Sequence, residues 1–332
     1  MKNFYVQQNE AGQRLDKLLA KLLNKAPKSF IYKMLRKKNI VLNGKKADGS
    51  EKLVLEDRIT LFLSDETIAQ FTESTEAVEL KHELDIIYED SHILVLNKPI
   101  GELSQKAVKE DVSMVEYLLS YLLTTKQLTR EQLASFKPGI CNRLDRNTSG
   151  LLIAGKSLLG LQEMAEILKD RSLGKYYLCI VKGRLEGKRR VEGYLSKDEA
   201  TNRVTIHPTK TGDAEYICTE YEPMKANPQK ASEEGNKWSF TLLQVKLVTG
   251  RSHQIRAHLA SLGHPLIGDY KYGDKKINHY FKSRYGLSHQ LLHSYRMVFP
   301  ELKGELAYLS GKELVAERPE IFTKIQGDLF GK

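Results

Sequence analysis

At 332 residues the chain exceeds one typical domain and can bury a sizeable core, so two folded units, one small and one large, are expected. Lysine and arginine total 52 against 42 acidic residues, a formal charge of +10 that favours a polyanionic partner. Cys141, Cys179 and Cys218 are too widely spaced for a disulfide framework or a zinc knuckle, the opening MKNFYVQQNEAGQRLD has no apolar core, and no stretch approaches membrane-span length, so a cytoplasmic protein without a membrane partner is expected.

Residues 12–23, GQRLDKLLAKLL, repeat Leu15, Leu18, Leu19 and Leu22 at helical spacing, which predicts a short amphipathic helix. After Pro27, a good helix starter, KSFIYKMLRKK puts Ile31, Met34 and Leu35 on one side and Lys28, Lys33, Arg36, Lys37 and Lys38 around the rest. The period then changes to an apolar run ending in the Asn43-Gly44 turn, and Leu53 to Leu63 supplies a second strand bent at Asp57-Arg58. A charge run is ordinarily a solvated face. QRLDKLL, the basic helix and the VLNGKK turn together, however, resemble the alpha-L RNA-binding domain of an S-four-type small-subunit ribosomal protein over residues 13–63. The resemblance implies a small N-terminal α/β domain that binds RNA through Lys33, Arg36, Lys37 and Lys38.

Residues 64–80 turn acidic and polar and are expected to be a flexible linker between domains. From Leu84 the chain is strand-rich: LDIIYEDSHILVLNKP predicts two short strands, and further strands are expected at Leu151–Ala154, Tyr176–Val181, Arg203–Ile206, Ala214–Glu220, Phe240–Val248 and Ser294–Phe299. Helices are expected from Ser157 to Lys169 and from Ser252 to Leu262. Strands without regular helical alternation predict an α+β unit over residues 81–305, followed by a C-terminal extension, 306–332.

The chemistry concentrates in Asn142-Arg143-Leu144-Asp145-Arg146-Asn147-Thr148-Ser149-Gly150, directly before an apolar strand. A carboxylate between two arginines in a glycine-ended loop suits a charged group held ready, although composition alone allows a loop salt bridge. The pattern R-L-D-x-x-T-S-G resembles the catalytic motif of the RluA family of pseudouridine synthases. Three further segments agree in order: Tyr88 to Pro99, Gly174-Lys175-Tyr176-Tyr177-Leu178, and Thr249-Gly250-Arg251-Ser252-His253-Gln254-Ile255-Arg256-Ala257-His258-Leu259, continuing through Gly263-His264-Pro265 and Gly268-Asp269.

The resemblance implies a mixed, largely antiparallel central sheet and a monomeric enzyme that needs no cofactor or metal. It also implies that uridine in RNA, foremost large-subunit ribosomal RNA, is converted to pseudouridine. It assigns Asp145 as the catalytic aspartate, Tyr177 as the ring stacked on the target base and Arg256 as the carboxylate's ion-pair partner. Arg143 would help to displace the nucleotide, and Arg251 and His253 would support the site and the RNA. Physically, a guanidinium favours the ionised carboxylate and can grip it bidentately, and an aromatic ring holds an extruded base. His253, His258 and His264 lack the i, i+4 spacing of a helical zinc site. Two departures from the family pattern, Asn142 where histidine is frequent and the turn Gly101-Glu102-Leu103-Ser104-Gln105, bear on substrate choice. A non-catalytic RNA-binding ribosome assembly factor would not need Asp145, Tyr177 and Arg256 together, and a base-releasing glycosylase would want a second acidic residue in the motif loops. Transfer RNA stays open as an alternative substrate.

Overall fold

The computed structural model describes residues 1–73, 80–227, 230–231 and 237–331. The first unit comprises β1 (Lys2–Tyr5), α1 (Leu15–Leu22), α2 (Lys28–Arg36), β2 (Ile40–Leu42), β3 (Lys45–Lys46) and β4 (Arg58–Leu61), with sheet order β1-β4-β2-β3. Leu15, Leu18 and Leu19 of α1 and Ile31, Met34 and Leu35 of α2 point inward as their spacing requires, meeting Val6, Ile40, Leu53, Ile59 and Leu61 in one core. Lys33, Arg36, Lys37 and Lys38 are left exposed.

Two expectations change here. The strand expected from Leu53 is only Arg58–Leu61, because a turn precedes it in which the Asp57 carboxylate accepts from the Val54 amide and from Asn43 Nδ2, both at 2.8 Å. Residues 65–71, expected within an irregular linker, form α3 (Asp65–Phe71), capped by Ser64 Oγ accepting from the Thr67 amide at 3.2 Å. Ile68 and Phe71 lie one turn apart and pack on the N-terminal core, Phe71 4.3 Å from the Phe30 ring. Of the remainder of that expected linker, residues 74–79 lie outside the described residues.

The second unit contains β5 (Ile86–Glu89), β6 (Ile93–Lys98), α4 (Met114–Thr124), α5 (Arg130–Leu133), β7 (Gly139–Ile140), β8 (Ser149–Gly155), α6 (Leu158–Lys169), β9 (Gly174–Lys182), β10 (Arg189–Asp198), β11 (Arg203–His207) and β12 (Glu215–Ala226). It continues with β13 (Lys230–Ala231), β14 (Lys237–Trp238), β15 (Phe240–Leu247), α7 (Gln254–Ser261), α8 (Lys275–Tyr285), β16 (Leu292–Val298), β17 (Glu313–Val315) and α9 (Glu320–Phe330). Its large sheet runs β11-β10-β12-β15-β9-β16-β8-β6-β5, with β17 beside β16 and β7 beside β8. Among its named strands, within the described residues, the one parallel pairing is β8 with β16; the others are antiparallel, so the fold is α+β as the pattern predicts.

The expected C-terminal extension is built into this unit. β17 extends the sheet from β16, and Phe322 and Ile325 of α9 pack with Phe281 of α8. The two units also touch through a polar contact: Glu10, 2% exposed, accepts from Ser135 Oγ at 2.5 Å, and Asn9 Oδ1 accepts from the Leu158 amide at 3.1 Å. Among the described residues no helix is long and apolar enough to cross a membrane.

Candidate active site

The loop between β7 and β8 carries Asp145, and its backbone is braced on both flanks by the turn that follows β6. Ser104 Oγ donates to the Leu144 carbonyl at 2.8 Å and accepts from the Leu144 amide at 3.0 Å. On the other side, Lys98 Nζ and the Gly101 amide both donate to the Arg146 carbonyl at 3.0 Å. Lys98 is wholly buried and also donates to the carbonyls of Pro99 and Glu102, each at 2.7 Å; burial pushes its ammonium down to about 8. The loop ends at Gly150, whose φ of +109° and close approach to β16 leave no room for a side chain, since a Cβ there would collide with the Ser294 carbonyl. The departure at Gly101–Gln105 therefore bears on the backbone beside Asp145. Asn142 also acts on backbone, accepting from the Ile153 amide of β8 at 2.7 Å.

Helix α7 presents Arg256 to this loop. Its first turn is pinned by buried Gln254, whose Oε1 accepts from Thr249 Oγ1 at 2.8 Å and the Arg251 amide at 3.1 Å. Arg256 Nη1 donates to Asp145 Oδ2 at 2.9 Å. The expected bidentate grip falls elsewhere: Arg256 Nε and Nη2 donate to Asp269 Oδ2 and Oδ1 at 2.8 and 3.0 Å. Geometry decides this, because Asp269 presents both oxygens edge-on to the guanidinium while its Oδ1 also accepts from the amides of Lys271 and Tyr272 at 2.9 and 3.0 Å. Burial opposes ionisation of Asp269, but Arg256 and those amides hold its carboxyl below the usual range; burial likewise opposes the Arg256 charge, and Asp269 and Asp145 more than restore it.

His253 precedes α7 with φ of 54°, its Nδ1 2.9 Å from Tyr272 Oη and its Nε2 3.9 Å from Asp145 Oδ2. Tyr177, on β9 between Val245 and Ser294 of the neighbouring strands, forms part of the wall and is 5% exposed; burial pushes its phenol up to about 12. Together these residues line an open cleft of about 1010 Å³ that also takes in Arg143 and Arg251. Lys106, Arg171, Lys175 and Lys197 add further positive charge to it. Arg251 is half-exposed and pairs with Glu215 at 2.9 Å.

The six expected site residues of the catalytic unit, Asp145, Tyr177, Arg256, Arg143, Arg251 and His253, thus share one cleft, whereas Lys33, Arg36, Lys37 and Lys38 do not line it. Cys141 also lines it, half-buried, with its thiol pushed up to about 12 by burial, which suits a packing role better than a nucleophile. His258 and His264 turn to other partners, Thr219 Oγ1 at 3.0 Å and the Lys182 carbonyl at 2.9 Å. Among the described residues no group of three or more His, Cys, Asp or Glu side chains is placed to hold a metal ion. Asp269, Lys98, Ser104 and Tyr272 were not singled out from the sequence. Asp269 and Lys98 stand inside recognised segments, Gly268-Asp269 and Asn97-Lys98-Pro99, and Ser104 inside the departing turn Gly101–Gln105, where a signal was available.

The profile of the family described as RNA pseudouridylate synthase matches residues 92–261. The chain is 30% identical over 304 residues to an uncharacterised RNA pseudouridine synthase of Mycoplasma genitalium, covering 90% of each chain. It is 30% identical over 300 residues to a ribosomal large subunit pseudouridine synthase C of Vibrio vulnificus, covering 89% of this chain and 87% of the relative. Among solved structures, human RNA pseudouridylate synthase domain containing 4 has a similar fold, with a TM-score of 0.54 at 20% identity over 74% of this chain and 92% of that one.

Proposed function

The chain belongs to the RNA pseudouridylate synthase family, whose members isomerise uridine to pseudouridine in RNA, and within it we propose that Asp145 is the catalytic carboxylate and large-subunit ribosomal RNA the substrate. The reaction breaks the bond from C1′ to N1, turns the uracil in place and joins C1′ to C5; the C5 proton leaves and N1 gains one. No electrons or atoms are gained overall, so the step calls for no oxidant, reductant or co-substrate, and we read it as cofactor-free.

The observation that carries it is the chain Asp145–Arg256–Asp269, which runs from the cleft to a buried carboxylate behind it. Arg256 and His253 both approach Oδ2 of Asp145, and Oδ1 accepts no hydrogen bond among the described residues, so Oδ1 is the oxygen offered to the nucleotide. A carboxylate so held serves either to add covalently at the sugar or to take a proton. Tyr177 provides the apolar surface that retains the detached base, stacking being worth about 1–3 kcal/mol. Arg143, Arg251 and His253 face the nucleotide and its backbone at the mouth, and Lys33, Arg36, Lys37 and Lys38 anchor RNA farther away. The name of the Vibrio relative supports the ribosomal substrate. The reading takes the enzyme to be a monomer in the cytoplasm, where a reducing compartment suits its three free cysteines.

Mapping pseudouridines in ribosomal and transfer RNA from cells with and without the gene tests the substrate: loss confined to transfer RNA overturns the ribosomal assignment. Purified protein should act after chelator treatment, and activity that returns only with added metal contradicts the cofactor-free reading. The Asp145→Asn variant should bind RNA and form no pseudouridine.

A further inference from the structure

We propose that Tyr272 is a positioning residue for Asp145, acting through His253: its hydroxyl fixes neutral His253 with the proton on Nε2 and turns that N–H toward the carboxylate. The inference rests on the assignment of Asp145 made above. Two guanidinium groups, those of Arg203 and Arg256, lie over the Tyr272 ring, each 5.3 Å from its centre. Its oxygen accepts from the Val204 amide at 3.0 Å, which leaves the phenol hydrogen for His253 Nδ1 at 2.9 Å. Burial keeps that phenol protonated.

The opposite tautomer fails twice. A proton on Nδ1 would point at the phenol, whose own hydrogen would then have no acceptor among the described residues, and the bare Nε2 lone pair would face Asp145 Oδ2 at 3.9 Å. Burial first, then the charges of Arg256 and Lys271, keep His253 neutral against the pull of Asp145 and Asp269. At 3.9 Å the Nε2–H contact is electrostatic rather than a hydrogen bond. Asp145 Oδ2 thus sits between Arg256 Nη1 and His253 Nε2–H, which keeps Oδ1 turned to the cleft. The backbone agrees that the ring matters: φ of 54° at His253 is a conformation that asparagine adopts more readily.

Three variants and one spectrum test this. His253→Gln places an amide nitrogen near the Nε2 position, whereas His253→Asn places one near Nδ1 and suits the left-handed backbone better. Gln should keep more of the single-turnover rate at saturating enzyme than Asn; a purely conformational role predicts the reverse order and overturns the proposal. Tyr272→Phe keeps the ring under both arginines and should slow that rate about tenfold or more while RNA affinity changes less than about twofold. A wild-type rate overturns the proposal. In two-bond nitrogen–proton spectra of histidine-labelled protein, the signal lost in His253→Gln identifies His253 among nine histidines. It should show the Nε2–H pattern in wild type and lose it in Tyr272→Phe; an Nδ1–H pattern in wild type overturns the assignment. The spectrum needs no RNA, so it stands even if wild-type protein forms no pseudouridine, an outcome that would sink the functional reading instead.

Discussion

Arg256 and Asp269 form a two-pronged ion pair, Nε to Oδ2 at 2.8 Å and Nη2 to Oδ1 at 3.0 Å, and this leaves a single guanidinium nitrogen, Nη1, for Asp145. The arginine is therefore a rigid bridge between a buried carboxylate and one that faces the cleft. Only a planar, multi-donor head can serve both at once.

Arg256→Lys keeps the charge and loses the bridge. One ammonium cannot reproduce three directed bonds to two carboxylates, so the single-turnover rate at saturating enzyme should fall about a hundredfold, with much less change in RNA affinity. If the saturated rate stays normal and only the dissociation constant rises, Arg256 belongs to RNA binding.

Asp269→Asn tests the other end of the bridge. Asp269 is wholly buried, and removing its charge leaves the Arg256 guanidinium short of a partner, a change that should cost about 3–5 kcal/mol in urea unfolding. The pH dependence has a definite sign. Because Asp269 ionises more readily folded than unfolded, its contribution is complete above the ordinary aspartate value and is lost as pH falls through the lower folded one. The stability gap between wild type and Asn should therefore narrow on acidification below about 4, and a gap that widens there would contradict the ion pair.

What the sequence made legible follows from how local each signal is. Leu15, Leu18 and Leu19, and later Ile31, Met34 and Leu35, declare their helices within a few residues, and Asp145, Tyr177 and Arg256 stand in motif segments that converge on one cleft. The Arg256–Asp269 bridge was hidden because it depends on a side-chain direction, not a spacing. Helix α4 escaped notice because Met114, Leu118, Leu119 and Leu122 are buried in a stretch apolar on nearly every side, which blurs the helical period. In α3 the acidic composition masked Ile68 and Phe71, and β1 is too short and exposed to carry an alternating pattern. The role of Ser104 was illegible for a different reason: it is a hydrogen bond to backbone forty residues away.

Tyr177 separates packing from stacking. Its ring belongs to the main core and also walls the cleft, so Tyr177→Ala should cost about 3 kcal/mol of stability and weaken retention of the flipped base by about 1–3 kcal/mol. Tyr177→Phe restores the ring and should recover most of both in denaturation and RNA-binding assays. If Phe binds RNA as weakly as Ala, the hydroxyl rather than the ring face makes the contact.

The exposed cations of α2 and its C-terminus make a separate, salt-dependent claim. Replacing Lys33, Arg36, Lys37 and Lys38 by glutamine should weaken RNA binding and flatten its dependence on salt, by about 0.7–0.9 in the logarithmic slope for each phosphate no longer neutralised. The side chains are solvated and outside the N-terminal core, so thermal unfolding should barely move. An unchanged salt slope would make this face an ordinary solvated one.

Lys98 gives the sharpest pH test, because it is a cation with no exposure whose partners are three backbone carbonyls rather than a carboxylate. Its ammonium loses a proton at about 8 in the folded chain, against about 10.4 when unfolded. Between those values Lys98 is protonated in the unfolded chain and not in the folded one, so its own contribution to stability rises with pH there. Lys98→Met fills the same space and cannot titrate, so the wild-type stability measured relative to it should increase from about pH 8 to about pH 10. A difference that stays flat or falls over that range would mean that the ammonium titrates as if solvated. The same variant removes a donor from the Arg146 carbonyl beside Asp145, so its saturated single-turnover rate should fall at neutral pH while RNA affinity is largely kept. A wild-type rate would show that Ser104 and the Gly101 amide suffice to hold the loop.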